Sequence, residues 1–274
     1  MRTKRKIAVV ASVVAGLAAP AVAVAPAAGA QAAPAWYAYH GVTPAQSVAH
    51  VKTLKSRGYR PITVNVSDGE RYAAVWIKGG SAPEWGIWQG MSHAEFQAKF
   101  DAALRQGAQP VSVSATGSGS SAVFTAIWEK RNTKFLTKSN LTPARFSAAN
   151  KQAAAQGLAL SSVDAYGTPG DIRYVGVWTA NPGGTWKYTF GMSRERHEEH
   201  FAEKKSQGFR PVKVSVAPDG TYAAVWRKDG RKSWAHYIDM SAAGYQQRFN
   251  TFKERGLRPV QVNAENGKYA AIWE

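Results

Sequence analysis

One phrase recurs five times along the chain. It reads RYAAVW at 71–76, VFTAIW at 123–128, RYVGVW at 173–178, TYAAVW at 221–226 and KYAAIW at 268–273. Spacing around it is strict. An aromatic opens each unit: Trp36, Trp85, Phe135, Trp186 and Trp234. Six residues later comes an apolar residue (Val42, Met91, Leu141, Met192, Met240), followed at once by Ser or Thr. Fifteen residues beyond that hydroxyl stands a Gly: Gly58, Gly107, Gly157, Gly208 and Gly256. A period near 50 residues with no insertion between aromatic and Gly defines a tandem-repeat protein.

The stretch from hydroxyl to Gly predicts a helix. Ser and Thr accept an otherwise unpaired N–H at a helix start. Pro44 and Pro143 sit where a missing N–H costs nothing. Ser92 with Glu95, and Thr43 with Gln46, match the reciprocal capping pattern. The Gly suits the left-handed residue that closes a helix. Phe96/Phe100, His197/Phe201 and Tyr245/Phe249 lie four apart, on one buried face. After the Gly come RPITVNV (60–66) and its relatives QPVSVSA (109–115), RPVKVSV (210–216) and RPVQVNA (258–264). Their alternation reads as a half-buried strand. Asp68-Gly69, Asp219-Gly220 and Asn266-Gly267 mark hairpins into the Trp-ending phrase.

The fold class is therefore α+β: five tandem strand–helix–strand–strand repeats, antiparallel meanders with one helix each. The Trp phrase is the middle strand, with Trp76, Trp128, Trp178, Trp226 and Trp273 as its structural anchors. The expected organisation is a signal peptide over 1–30, a short linker over 31–35, and repeats over 36–84, 85–134, 135–185, 186–233 and 234–274. One such unit buries too little alone, so copies must pack on neighbours. Two arrangements are open. Pairing of the Trp36 strand with the Trp273 strand gives a closed five-unit ring. The alternative is an open arc.

Arg2, Lys4, Arg5 and Lys6 precede an apolar stretch from Ile7 to about Val24, then an Ala- and Pro-rich run. This is the layout of an export signal cleaved near Ala30. Pro20 and the small-residue tail argue against an uncleaved anchor. Secretion is the expected localisation, with no membrane association after cleavage. The absence of cysteine excludes disulfides and thiolate metal sites; an exported cysteine-free chain fits a bacterium. The formal charge is +17. That excess favours polyanions, although the basic residues are spread over all repeats and form no single block.

Catalytic signatures are missing. There is no Gly-x-Ser-x-Gly elbow, and no Ser has a Lys three residues later. The Gly117–Ser121 stretch reads as a turn. His197-Glu198-Glu199-His200 departs from the zinc pattern His-Glu-x-x-His, and His197 shares a column with Phe96, Phe146 and Tyr245, which makes it a core-edge residue. Asp164, Asp171 and Asp239 recur nowhere, and no paired carboxylates are placed for acid–base work. No cofactor is expected. Tyr39, Trp88 and Tyr237, three residues after the opening aromatic, are turned by strand alternation to the opposite face. That face also carries Lys138 and Thr189, so these three aromatics are the candidates for ligand stacking. The polar strand residues Thr63, Asn65, Ser112, Ser114, Lys213, Ser215, Gln261 and Asn263 predict a broad polar surface.

The Met-Ser, Gly-x-Arg-Pro-Val and Tyr-Ala-Ala-Val-Trp phrases resemble a bacterial tandem-repeat domain found in the N-terminal region of polyglycine hydrolases. The resemblance runs from Trp36 to Glu274 and is clearest in units one, four and five. Unit three departs, with Phe135, Leu160 and Gly176. The resemblance implies a half-barrel-like, open arrangement and an accessory or recognition role. It does not imply hydrolysis, because the β-lactamase-like domain of those enzymes and its Ser-x-x-Lys motif have no counterpart here. The expected function is a secreted, non-catalytic module for binding or scaffolding; the alternatives are a basic polyanion-binding protein and a hydrolase of undescribed type, using the polar strand face. Its expected partner is a cell-wall polymer, another polyanion, or a protein such as a separately encoded hydrolase.

Overall fold

The computed structural model describes residues 35–79, 83–181 and 183–274. The expected signal peptide lies outside them. The first repeat holds β1 (Trp36–Val42), α1 (Pro44–Ser56), β2 (Tyr59–Ser67) and β3 (Arg71–Lys78). The second holds β4 (Trp85–Met91), α2 (His93–Arg105), β5 (Ala108–Thr116) and β6 (Val123–Lys130). The third holds β7 (Phe135–Leu141), α3 (Pro143–Ala155), β8 (Leu158–Thr168) and β9 (Asp171–Ala180). The fourth holds β10 (Thr185–Met192), α4 (Arg194–Ser206), β11 (Arg210–Val216) and β12 (Tyr222–Lys228). The fifth holds β13 (Ala235–Met240), α5 (Ala242–Glu254), β14 (Pro259–Glu265) and β15 (Lys268–Trp273). No helix among the described residues is long and apolar enough to cross a membrane.

The helix ends form as their sequences dictate. Thr43 and Ser92 close full capping boxes with Gln46 and Glu95. Thr142, Ser193 and Ser241 each accept one backbone N–H. Gly58 and its four equivalents have φ between +69° and +81°, a region where a side chain is strained.

Each repeat makes its own three-stranded antiparallel sheet with the Trp phrase in the centre, as in β1-β3-β2. Alternation divides the phrase between two cores. Tyr72, Ala74 and Trp76 pack in the first repeat's own cluster with Leu54 and Val66. Ala73 and Val75 pack into the fifth repeat's cluster, against Tyr245, Tyr269 and Trp273. The same exchange joins Val175 and Val177 to the second repeat, and Ala223 and Val225 to the third. The conserved shape of the phrase thus has a packing cause: large residues serve one repeat and small ones admit its neighbour.

The repeats close into a ring, although no strand ladder runs between sheets. The closure does not use the Trp36 and Trp273 strands, which stay within their own sheets. Instead β2, β5, β8, β11 and β14 gather around an axis. The Val66 N–H donates to Ser114 Oγ at 3.0 Å, Ala115 to Asp164 Oδ2 at 3.0 Å, and Ala165 to Ser215 Oγ at 2.9 Å. Val216 donates to Asn263 Oδ1 at 2.7 Å, and Ala264 to Asn65 Oδ1 at 3.0 Å. The last bond joins repeat five to repeat one and decides for the ring over the open arc that the resemblance implies. It also corrects the polar-surface reading. Thr63, Asn65, Ser112, Ser114, Ser215, Gln261 and Asn263 are buried, because ring closure turns their face inward, where all but Thr63 bond to the adjoining repeat.

Replacing Asn65 by Ala removes an acceptor from the Ala264 N–H and a donor to Ser114 Oγ (2.9 Å). The unpaired buried groups should cost about 1–3 kcal/mol in urea unfolding, comparable with Ser114→Ala at an internal joint. An Asn65 loss near zero would mean the first and fifth repeats are not joined.

Candidate functional site

The axis carries the most polar interior. Asp164 accepts from Ser114 Oγ (2.5 Å), Ser215 Oγ (2.6 Å) and Asn263 Nδ2 (2.8 Å), besides backbone N–H groups. Burial pushes its carboxyl up to about 6, against the pull of those donors. A carboxyl flanked by serines with a raised pKa is a common mark of catalysis. Here every neighbour is a donor and the group is enclosed, so Asp164 serves as the ionised hub of the ring. Next along the axis, Glu265 accepts from Thr116 Oγ1 at 3.0 Å. Burial pushes it up to about 8.

His197 and His236 lie at the edge of the fourth repeat, their Nε2 atoms 3.0 Å apart. His236 Nδ1 donates to the Ala271 carbonyl at 3.1 Å. That bond leaves His236 Nε2 as the acceptor and His197 Nε2–H as the donor. Burial holds both neutral, pushing them down to about 3 and about 4. His197 packs against Tyr222 and Trp226, deeper than a core edge.

The three candidate stacking aromatics meet different fates. Tyr39 is buried, bonds Ser47 Oγ through its hydroxyl at 3.1 Å and stacks on His50 at 4.5 Å. Tyr237 is 39 % exposed, but the Arg248 guanidinium covers its ring at 4.1 Å. Trp88 lies in a groove of about 560 Å3 with Trp85 and Trp128, edged by Val51, Lys55 and Glu84.

This groove arises where one repeat breaks its own rule. Trp76, Trp178, Trp226 and Trp273 are fully buried. Trp178, Trp226 and Trp273 pack on the aromatic that begins each helix pair, Phe146, His197 and Tyr245. In repeat two it is Trp88 that packs on a helix aromatic, Phe100 one turn after Phe96, at 5.6 Å. Trp128 is displaced to partial exposure, 5.9 Å from Trp88. Gly86 permits this, since a Cβ there would stand 2.5 Å from the Trp128 indole. Lys55 lies over Trp85 at 5.4 Å and Lys99 over Trp88 at 5.8 Å. Trp85 and Trp128 were missed as site residues because both sit in structural columns. Gly86 beside a column of Trp was the available signal.

Charge is also gathered in a way the spread-out sequence hid. Where the axial strands begin, Arg60 pairs with Glu129 at 3.5 Å and Arg131 with the same Glu129 at 2.5 Å. Arg210 pairs with Asp229 at 2.6 Å and with Glu274, which Arg231 also reaches at 3.3 Å. Arg60–Glu129 links repeat one to two, and Arg210–Glu274 links repeat four to five. These arginines therefore stand beside shared carboxylates at one end of the axis.

The buried groups predict a pH dependence. Glu265 holds its proton more tightly folded than unfolded, so its stabilisation is present at acid pH and lost as pH rises toward about 8. Asp164 acts likewise up to about 6. His197 and His236 act oppositely: held neutral when folded, they favour the fold as pH rises to about 6.5, the ordinary histidine value. Between about 6.5 and 8 Glu265 dominates; Lys213, whose amine burial lowers to about 8, works the other way and offsets it only toward the top of that window. Urea unfolding free energy should fall over that window, and Glu265→Gln should flatten the slope. An unchanged slope in that variant would contradict the assignment.

Five consecutive stretches, residues 33–79, 82–131, 133–181, 183–229 and 231–274, match the family described as polyglycine hydrolase-like, structural repeat. They cover most of the chain and coincide with the five sheet-and-helix units. The chain belongs to the polyglycine hydrolase-like structural repeat family.

Proposed function

We propose that this protein is an exported, non-catalytic binding module that docks a cell-wall glycan on the Trp85, Trp88 and Trp128 groove. The observation that carries this reading is the single break in the repeat. Four repeats bury their central Trp, while the second brings three Trp side chains to one surface. Aromatic rings with an apolar face and a polar edge suit ligands that are wet on one side and apolar on the other. A sugar ring with its C–H face on an indole is such a ligand. Lys55, Lys99 and Glu84 at the rim supply polar contacts to hydroxyls. The repeat-only family match supports a role other than hydrolysis, and the layout of residues 1–30 supports export.

A second reading, binding to polyanions through charge, is favoured by the arginines gathered at one end of the axis. The two differ in salt dependence. Charge-driven binding falls steeply with salt, whereas stacking does not.

Mature protein from Gln31 onward should be retained on purified cell wall at both low and high salt. Trp88→Ala and Trp128→Ala should each weaken retention about tenfold, the loss of roughly 1.4 kcal/mol, with far-UV dichroism unchanged. Tyr237→Ala should have no effect. Retention that vanishes with salt and ignores both Trp substitutions would sink the glycan reading in favour of charge.

A further inference from the structure

The ring has an inter-repeat position that holds an ion pair at two joints; two others, Gln109 with Thr179 and Arg258 with Ile77, hold none, and one sets a cation against an alanine. Its first member is the residue opening the axial strand: Arg60, Gln109, Ala159, Arg210 or Arg258. Its second is the residue that follows the central Trp in the next repeat. Arg60 meets Glu129 across the joint of repeats one and two, and Arg210 meets Glu274 across that of four and five. At the joint of repeats three and four the equivalent residues are Ala159 and Arg227. Ala159 offers no carboxylate, and Arg227 Nε is buried with no hydrogen-bond partner. Nearby, Lys213 occupies the axial column where the other repeats carry Thr63, Ser112, Ser162 and Gln261. Lys213 forms no ion pair among the described residues. Burial pushes its amine down to about 8, with Glu274 pulling the other way, so it stays charged at neutral pH.

Both cations line one cavity of about 430 Å3, built by repeats two, three and four. Its remaining wall is largely apolar, with Val111, Leu160 and Val212, and Gln109 and Ser161 add polar atoms. Arg131 at the rim is already committed to Glu129. Two half-buried cations that make no close ion pair, with Asp229 and Glu274 acting on them only from a distance, face an apolar-walled space and ask for an anion that has an apolar body. A guanidinium fork matches a carboxylate's two oxygens, and desolvation makes an unpaired buried cation costly.

We propose that this cavity is a second binding site, for a short peptidyl or acyl carboxylate whose carboxylate pairs with Arg227 and Lys213. The site is separate from the tryptophan groove and does not depend on it.

Calorimetric titration with N-acetyl-alanyl-alanine tests it, with the C-terminal amide of the same compound and inorganic phosphate as comparison arms. The free acid should bind, and the amide and phosphate should bind at least tenfold more weakly. Arg227→Met and Lys213→Met should each weaken the acid at least tenfold. Arg231→Met, at the outer rim on Glu274, and Trp88→Ala should leave it unchanged. Dichroism and thermal melting check that each variant is folded. Should Arg227→Met be unfolded, Lys213→Met alone decides. Equal binding of acid and amide, binding of phosphate as tight as the acid, or no binding of the acid at all would each overturn the assignment.

Discussion

The structure depends on five side chains that face one another across an axis. Asn65, Ser114, Asp164, Ser215 and Asn263 hold the same position in successive repeats, and each accepts a backbone N–H from the adjoining one. The axial strands pair on one edge within their own sheets. Their other edge would present unpaired groups, which natural proteins must cover. Polar side chains cover it here without a continuous ladder. Each sheet therefore stays separate and keeps its own twist, while the joints remain specific. The cost is a buried carboxylate at Asp164, offset by donors from three neighbours.

The aromatic phrase follows from the same geometry. In a ring, every central strand has a neighbour on each side of its sheet, so each face of the phrase must pack. Tyr and Trp fill the gap to the repeat's own helix, and Ala and Val fit the core of the repeat before it. A repeat can deviate only where something else fills the gap. Repeat two does so: Trp88 packs on Phe100, Gly86 clears room, and Trp128 moves outward. The proposed glycan groove is the product of that local exchange.

Much of the fold was legible because it rests on local rules. The hydroxyl caps, the closing glycines, the hairpin dipeptides and the central placement of the Trp strand all follow from spacing and backbone preference. Ring closure was legible only as one of two arrangements, and through the wrong strands, because the bonds that make it join residues some 200 positions apart, such as Asn65 and Ala264. The polar alternation of TVNV and SVSA looks identical whether water or another repeat satisfies it. Only the five-fold recurrence of small polar residues hinted at a shared axis. Site residues were legible in part. Strand parity chose Tyr39, Trp88 and Tyr237 alike, but parity cannot say that Ser47 and His50 cover the first, or that Arg248 covers the last. The gathering of Arg60, Arg131, Arg210 and Arg231 escaped notice because they are scattered over three repeats in sequence and come together only in the closed ring.

The closed axis also explains why one missing partner matters. Arg227 faces Ala159 at a position where two other joints hold an ion pair. The claim on which all of this rests is that repeat five bonds repeat one as the internal repeats bond each other. Native-state amide hydrogen exchange, resolved by NMR, tests it directly at Ala264, with Ala115 and Ala165 as internal references. The account predicts that the Ala264 amide is protected to the same degree as those two. An Ala264 amide that exchanges at the rate of an open strand edge, while Ala115 and Ala165 stay protected, would contradict it.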